Sequence, residues 1–140
     1  MNSDGSFPDS LREAARDVAL NAHVPHSGFR VGCAYMLEDG AVVRGCNVES
    51  DSYGLTNCAE RVAIGAGIAY GWLNSLNRIR YMAIVCLDAP DDAPVSLIAS
   101  CGACRQVMSE HMAAEHQIRF IGHPHDWTIE ELLPNPFKLS

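Results

Sequence analysis

Apolar and polar positions along the first third of the chain predict one helix followed by a β-hairpin. A capping box of Ser10 and Glu13 is expected to start an amphipathic helix that ends before Pro25. Residues 29–37 and 41–48 are β-prone runs separated by an Asp-Gly turn signal, so they should pair antiparallel. The apolar positions at helical spacing in the first helix are Leu11, Ala14, Ala15, Val18 and Ala22.

The middle of the chain predicts a second helix and a central strand. Asn57 is expected to cap a helix that runs to about Tyr70, with Glu60 at the capping-box position. The continuous apolar run at 79–87 suits a strand that is covered on both faces. A loop rich in Pro, Asp and Ala follows over 88–94.

The last third predicts two helices around a short strand. A third helix is expected from near Cys101 to Glu115, then a strand over 118–121, then a short helix that starts with a capping box of Thr128 and Glu131. The resulting order, α-β-β-α-β-α-β-α, favours a layered α/β sandwich with helices on both faces of a mixed sheet.

Composition and charge narrow the range of functions. With 140 residues and 48% hydrophobic side chains, the chain suits a single domain over 1–140. Its net charge of -7 argues against nucleic acid and anionic membranes as partners and favours a small uncharged ligand. The polar N-terminus lacks a signal peptide and no span is long enough to cross a membrane, so a reducing, cytoplasmic location is expected.

Three of the six cysteines are spaced for metal binding. Cys58 stands at one predicted helix start, and Cys101 and Cys104 stand at another, where the helix dipoles favour thiolates. Three thiolates at one point predict zinc, and three protein ligands are typical of a catalytic site that keeps a position for water. The remaining cysteines are interpreted as small buried hydrophobic residues within strands: Cys33, Cys46 and Cys86.

Glu60 is the candidate acid–base residue. It follows Cys58 by two positions, so it lies in the first helical turn beside the expected metal and can accept a proton from water there. A C-x-E sequence followed by C-x-x-C is also the general signature of zinc deaminases. The alternative role, part of a capping box, is compatible with this one.

The chain resembles the cytidine deaminase family over most of its length. The resemblance is carried by HVPHSGFRVGC, GCNVESDSYGLTNCAERVAI, CGACRQVMSE and ELLPNPF. It implies a three-layer α-β-α sandwich with a mixed central sheet of about five strands, and a homotetramer whose sites are shared between subunits. It also implies one zinc ion per subunit on Cys58, Cys101 and Cys104, with hydrolysis of cytidine or deoxycytidine to uridine or deoxyuridine plus ammonia.

The resemblance also implies roles for residues around the pyrimidine and the metal. Arg61 is expected to hydrogen-bond the thiolates and offset their charge. Phe29 is expected to pack on the pyrimidine face, and Ala59 to contact the base through its backbone. From the residues alone, Arg61 would be read as a surface arginine and Phe29 as a core residue.

The remaining predicted site residues are those expected to contact the sugar and those expected to reach a neighbouring subunit. Asn47 and Glu49 lie two apart at a strand end, so both side chains are expected on one side, facing the ribose hydroxyls. A carboxylate there disfavours a phosphate and so favours a nucleoside. By resemblance, Tyr53 and Phe137 reach into a neighbouring subunit's site, although Phe137 alone is also typical of a frayed tail.

Several features leave alternatives open. Ser100 stands where the family pattern usually has proline, His26 replaces a common tyrosine, and SDSY replaces NASY, which puts the preferred substrate in doubt. The same machinery suits a modified cytosine nucleoside, such as blasticidin S or a substituted cytidine. It suits a base in single-stranded nucleic acid less well, because binding of the backbone requires clustered Lys and Arg. A structural-zinc binding module is the rival from another class, and it requires a fourth protein ligand. His123 and His125 are expected to face solvent.

Overall fold

A mixed five-stranded sheet is the centre of the molecule in the computed structural model, which describes residues 7–139. The strands lie in the order β2-β1-β3-β4-β5; only the β3–β4 pair is parallel, and the other neighbours are antiparallel. The strands are β1 (Val31–Leu37), β2 (Val42–Cys46), β3 (Ile79–Cys86), β4 (Met112–Phe120) and β5 (Asp126–Thr128). The helices are α1 (Asp9–Ala19), α2 (Ala59–Ala69), α3 (Val95–Ile98), α4 (Gly102–His111) and α5 (Ile129–Leu132).

Helices cover both faces of this sheet, which confirms the predicted three-layer sandwich. Helix α1 buries Leu11 and Ala15 against alternate side chains of β1 and β3, including Met36 and Tyr81. The opposite face of the sheet packs against α2, α4 and α5 in a larger core. The predicted hairpin and the central, doubly covered strand β3 are also confirmed.

A glycine sets the distance between α2 and the sheet edge. A Cβ atom added at Gly45 of β2 would lie 2.4 Å from the backbone nitrogen of Ala63 and 2.9 Å from the carbonyl oxygen of Ala59. On the next strand, the buried Tyr35 hydroxyl donates a hydrogen bond of 2.7 Å to the Ala63 carbonyl. These contacts fix the helix whose first turn carries Glu60.

Two predicted helix caps are wrong. Helix α1 is capped by Pro8, whose extended backbone precedes Asp9, so Ser10 lies inside the first turn and makes no capping hydrogen bond. Helix α2 is capped by Cys58 and not by Asn57, which places Glu60 at the second helical position and removes its capping-box role. In both cases a polar residue of suitable type lies one or two positions from the true boundary.

The C-terminal part agrees with the prediction in outline and differs at its boundaries. The capping box of Thr128 and Glu131 is confirmed at the start of α5. Helix α4 ends at His111, and β4 begins at Met112, six positions before the predicted strand. The short elements α3 and β5 were not predicted because four and three residues show no periodicity. Within residues 7–139, no helix has the length and apolar character needed to span a membrane.

Candidate metal centre and active site

The three cysteines predicted as ligands converge at two helix N-termini. Cys58 is the residue before α2, Cys101 is the residue before α4, and Cys104 lies in the first turn of α4. Their sulfur atoms all lie within 4.8 Å of one another, and the sulfurs of Cys58 and Cys101 are 3.9 Å apart. Because α2 and α4 pack side by side on one face of the sheet, residues 43 positions apart along the chain meet at one point.

The geometry and chemistry of this group fit zinc. Four tetrahedral ligands with Zn–S bonds of ~2.3 Å place sulfur atoms about 3.8 Å apart, close to the observed Cys58–Cys101 separation. The Arg61 guanidinium lies 3.5 Å from the Cys58 sulfur, and its buried Nε atom has no hydrogen-bond partner among residues 7–139. A half-buried guanidinium whose Nε lacks a partner within these residues is suited to lie beside a group of thiolates, and zinc is the cation that such a group would bind.

Cys58 and Cys104 change each other's pKa in opposite directions. The hydrogen bond from Cys104, followed by that from Arg61, lowers the pKa of Cys58 to about 5. The Cys58 thiolate and burial in turn raise the pKa of Cys104. Cys58 therefore carries the first negative charge of this pair, and a bound cation would favour ionisation of Cys104 as well.

Glu60 is buried beside these thiols. Its side chain is 4% exposed, and it lines the same cavity as Cys58 and Cys101. Burial raises the pKa of Glu60, and an interaction with the Ser100 side chain opposes that rise. A carboxyl group held out of bulk water at a cavity wall is suited to proton transfer.

A cavity of about 170 Å³ opens at the metal centre. Phe29, Asn47 and Ala59 line it, as predicted for residues that contact a nucleoside. Larger cavities occur elsewhere, such as one of about 340 Å³ beside the 89–93 loop, but none of the three thiols lines it. The small cavity is thus the one in which a ligand can meet Cys58, Cys101 and Glu60 together.

Asn47 and Phe29 are held rigidly at the cavity wall. The Asn47 side chain accepts a hydrogen bond of 2.9 Å from the Val31 backbone nitrogen and donates one of 2.9 Å to the Phe29 carbonyl. This side chain therefore ties the residues before β1 to the end of β2. Ala59 is fully buried in the first turn of α2.

Glu49 lies apart from the residues that line the cavity. Its carboxylate accepts hydrogen bonds from the backbone nitrogens of His26 and Ser27, at 2.9 and 3.1 Å, and from the Ser27 hydroxyl. The Ser27 hydroxyl is the main reason that the pKa of Glu49 is lowered. The expected pairing of Asn47 and Glu49 on the sugar stays a prediction, and in this structure Glu49 instead organises the 26–27 turn.

Tyr53 and Phe137 lie at the surface, with 73% and 68% of their area exposed. Neither lines the cavity of its own chain. The Phe137 carbonyl accepts a hydrogen bond of 3.0 Å from Gln106, so the backbone of this tail is held against α4. Their predicted reach into a neighbouring subunit is compatible with this exposure.

The structure also places at the cavity two residues that the sequence analysis did not assign to the site. Cys86 and Leu97 line the cavity, whereas the sequence favoured a purely structural Cys86. Of the three cysteines interpreted as buried, Cys33 is fully buried and Cys46 and Cys86 are partly so. Leu97 belongs to α3, which was not predicted. His125 is exposed as expected, and its ring packs against Trp127.

Sequence and structural comparisons agree with this site. The family model described as the cytidine and deoxycytidylate deaminase zinc-binding region matches residues 7–118. A cytidine deaminase from Mycobacterium tuberculosis is 42% identical over 131 residues, which cover 93% of this chain and 89% of that protein. The crystal structure of cytidine deaminase from Burkholderia pseudomallei is similar with a TM-score of 0.78 and 36% identity, over 94% of this chain and 100% of that one.

A second structural relative gives the same result. The crystal structure of cytidine deaminase from Mycobacterium tuberculosis is similar with a TM-score of 0.75 and 38% identity, over 95% of this chain and 100% of that chain. The residues matched by the family model, 7–118, include both helix starts that carry the thiols. The three-thiol centre has the donor set that zinc prefers. The chain therefore belongs to the family of zinc-dependent cytidine and deoxycytidylate deaminases.

Proposed function

We propose that this enzyme hydrolyses cytidine, deoxycytidine or both to uridine or deoxyuridine plus ammonia, with Cys58, Cys101 and Cys104 as the zinc ligands. One observation carries the proposal: three thiols converge, and two of them, Cys58 and Cys101, share the wall of one small cavity with the buried Glu60. Within the described residues the group contains three ligands and not four, which leaves a position for water. The relatives named above are cytidine deaminases.

Glu60 moves the protons in the proposed reaction. Bound zinc would lower the pKa of water to ~7 and so supply a nucleophile at neutral pH. The Glu60 carboxylate takes the proton that water gives up and transfers it to the ring nitrogen beside the amino-bearing carbon. The remaining hydroxide oxygen forms a bond to that carbon. The Glu60 carboxylate then takes the proton of the new hydroxyl group and gives it to the amino group as the carbon–nitrogen bond breaks, so that a carbonyl oxygen replaces the departing ammonia. One water enters, one ammonia leaves, and the carboxylate is restored.

Other residues orient the nucleoside. Phe29 offers an aromatic surface at the cavity wall, and the backbone of Ala59 is available to the base. Arg61 hydrogen-bonds the Cys58 sulfur and offsets the negative charge of the thiolates. Asn47 presents its amide at the same wall for the sugar, and Glu49 lies beside the turn at 26–27.

We further propose a homotetramer whose sites are completed by neighbouring subunits, each chain forming one catalytic domain over 1–140. The exposed aromatic rings of Tyr53 and Phe137 support this arrangement, because large exposed apolar groups favour burial in an interface. A site that depends on reduced thiols, with all six cysteines unpaired, is suited to the reducing cytoplasm.

A substrate panel tests the proposed function. We expect the zinc-loaded enzyme to release ammonia from cytidine or deoxycytidine at neutral pH. We expect little release from cytidine monophosphate or from single-stranded oligonucleotides, because the net charge of -7 opposes phosphates. Ammonia release from blasticidin S, with none from cytidine or deoxycytidine, would show that the substrate is a modified cytosine nucleoside and would contradict the proposed substrate. Release from none of these compounds would overturn the function.

A further inference from the structure

The hydroxyl group of Ser100 is buried beside the active site and has no hydrogen-bond partner of good geometry within residues 7–139. Ser100 is 4% exposed. A buried hydroxyl left without a partner is unfavourable, so such a group is expected to serve an acceptor nearby. Proline, the usual residue of the family pattern at this position, has no hydroxyl to offer.

The backbone around Ser100 is fixed from two sides. The Arg105 Nε atom donates a hydrogen bond of 2.8 Å to the Ser100 carbonyl, and another nitrogen of Arg105 donates one of 2.9 Å to the Leu132 carbonyl. Ser100 also lies between Ala99 and Cys101, which both line the cavity. The backbone of Ser100 therefore belongs to the segment that forms this part of the cavity wall.

Glu60 is the acceptor that this arrangement provides. Ser100 and Glu60 are each 4% exposed, and Glu60 lines the same cavity as Ala99 and Cys101, the chain neighbours of Ser100. The interaction with the Ser100 side chain is also the strongest influence that lowers the pKa of Glu60 against the effect of burial.

We propose that Ser100 is a positioning residue that donates a hydrogen bond to one carboxylate oxygen of Glu60 and holds the other oxygen toward the substrate. A carboxylate has two oxygens, so occupying one of them fixes the direction of the other. Ser100 does not touch the substrate in this arrangement. The inference rests on the proposed role of Glu60 in proton transfer.

Kinetics of three variants test the inference. Ser100→Ala should lower kcat for cytidine roughly tenfold with KM changed less than about threefold, because a lost hydrogen bond to a charged group weakens positioning and not binding. Ser100→Thr keeps the hydroxyl and should restore kcat to within about threefold of the parent enzyme. Ser109→Ala is the matched control, since its hydroxyl bonds the Gln106 carbonyl on α4. Equal kcat for Ser100→Ala and the parent enzyme would overturn the inference.

Thermal unfolding of the zinc-loaded protein supplies a readout apart from activity. Ser100→Ala should lower Tm when Glu60 is present, because the hydrogen bond is lost. In a Glu60→Leu background the same change should leave Tm unchanged or raise it, because the hydroxyl then has no acceptor. The same decrease of Tm in both backgrounds would exclude the hydrogen bond. If the parent enzyme released no ammonia, the proposed function would fail. The comparison of Tm in the two backgrounds would still test the hydrogen bond between Ser100 and Glu60.

Discussion

The role of each thiol in the metal centre could be predicted from its chemical type and from its position at a helix start. Sulfur ligands prefer zinc, and the first turn of a helix favours a thiolate there. Cys58 and Cys104 meet these conditions on different helices, and Arg61 compensates the charge from α2. Cys46 does not meet the condition of a position at a helix start, because it lies in strand β2.

Replacing a ligand should remove the metal. We expect Cys104→Ala to reduce bound zinc from about one ion per subunit to nearly none, because two thiols cannot hold zinc as tightly as three. Cys46→Ala, a change of the same type outside the centre, should keep full zinc content. The measurement is metal analysis of the purified proteins after dialysis against a weak chelator. Full zinc in Cys104→Ala would exclude this thiol as a ligand.

At the scale of the elements, much of the site could be predicted because its residues belong to long, strongly patterned segments. The hairpin, α2, β3 and α4 were expected, and they position the thiols and Glu60. Their exact starts were less predictable, because Ser10 and Asn57 have the composition of caps while Pro8 and Cys58 occupy the cap positions. Leu97 could not be assigned, because the four residues of α3 show no period.

The contact between α2 and β2 gives a test of how the helix is positioned. Gly45→Ala should lower the free energy of unfolding by about 1–3 kcal/mol, because the new Cβ would collide with the backbone of α2 at Ala63. Gly65→Ala, on the open side of the same helix, should be neutral or stabilising by up to about 1 kcal/mol. Urea unfolding of the zinc-loaded proteins measures both, and equal midpoints would contradict the packing.

An ion pair joins the segment before β1 to the end of β3. Arg30 donates to both carboxylate oxygens of Asp88, at 2.8 and 3.0 Å. The hydrogen bond from Arg30 lowers the pKa of Asp88 from 3.8 to about 2. Because the folded state has the lower pKa, this pair should stabilise the protein above about pH 4 and lose that effect as the pH falls toward 2.

The pH dependence of unfolding tests this pair. Asp88→Asn should lower Tm relative to the parent protein at pH 5, and the difference between the two should shrink as the pH approaches 2. Asp92→Asn, at an exposed position of the same loop, is the matched control. Comparing the two proteins at each pH removes the contribution of acid-induced zinc loss. A Tm difference that does not change with pH would contradict the assigned ion pair.

The whole molecule combines a preformed centre within one chain with exposed aromatic groups away from it. Tyr53 and Phe137 lie outside the cavity of their own chain, so a site that uses them requires a neighbouring copy. The negative net charge acts at this scale too, since it disfavours the approach of phosphorylated ligands to the molecule as a whole. The fold and the metal centre could thus be predicted from patterns within one chain. Contacts between subunits could not be predicted in this way, because the surface residues that form them follow no periodic pattern.

Mixing inactive subunits tests whether sites are shared. We expect Tyr53→Ala and Glu60→Gln each to have low activity as pure proteins. After the two are dissociated together and reassembled, some sites should combine an intact Glu60 with a neighbour's intact Tyr53, and activity should return. Phe137→Ala in place of Tyr53→Ala repeats the test at the other aromatic ring. No recovery in mixtures whose hybrid assembly is verified by mass would contradict shared sites.

The central claim is that three thiols hold zinc while Glu60 moves the protons of the reaction. The most direct measurement is zinc content and ammonia release from cytidine, made on the same sample of Glu60→Gln. We predict about one zinc ion per subunit together with a loss of turnover of at least ~100–10,000-fold, the range for general acid–base groups. Full turnover with zinc retained would contradict the role of Glu60, and full turnover without any zinc would contradict the centre itself.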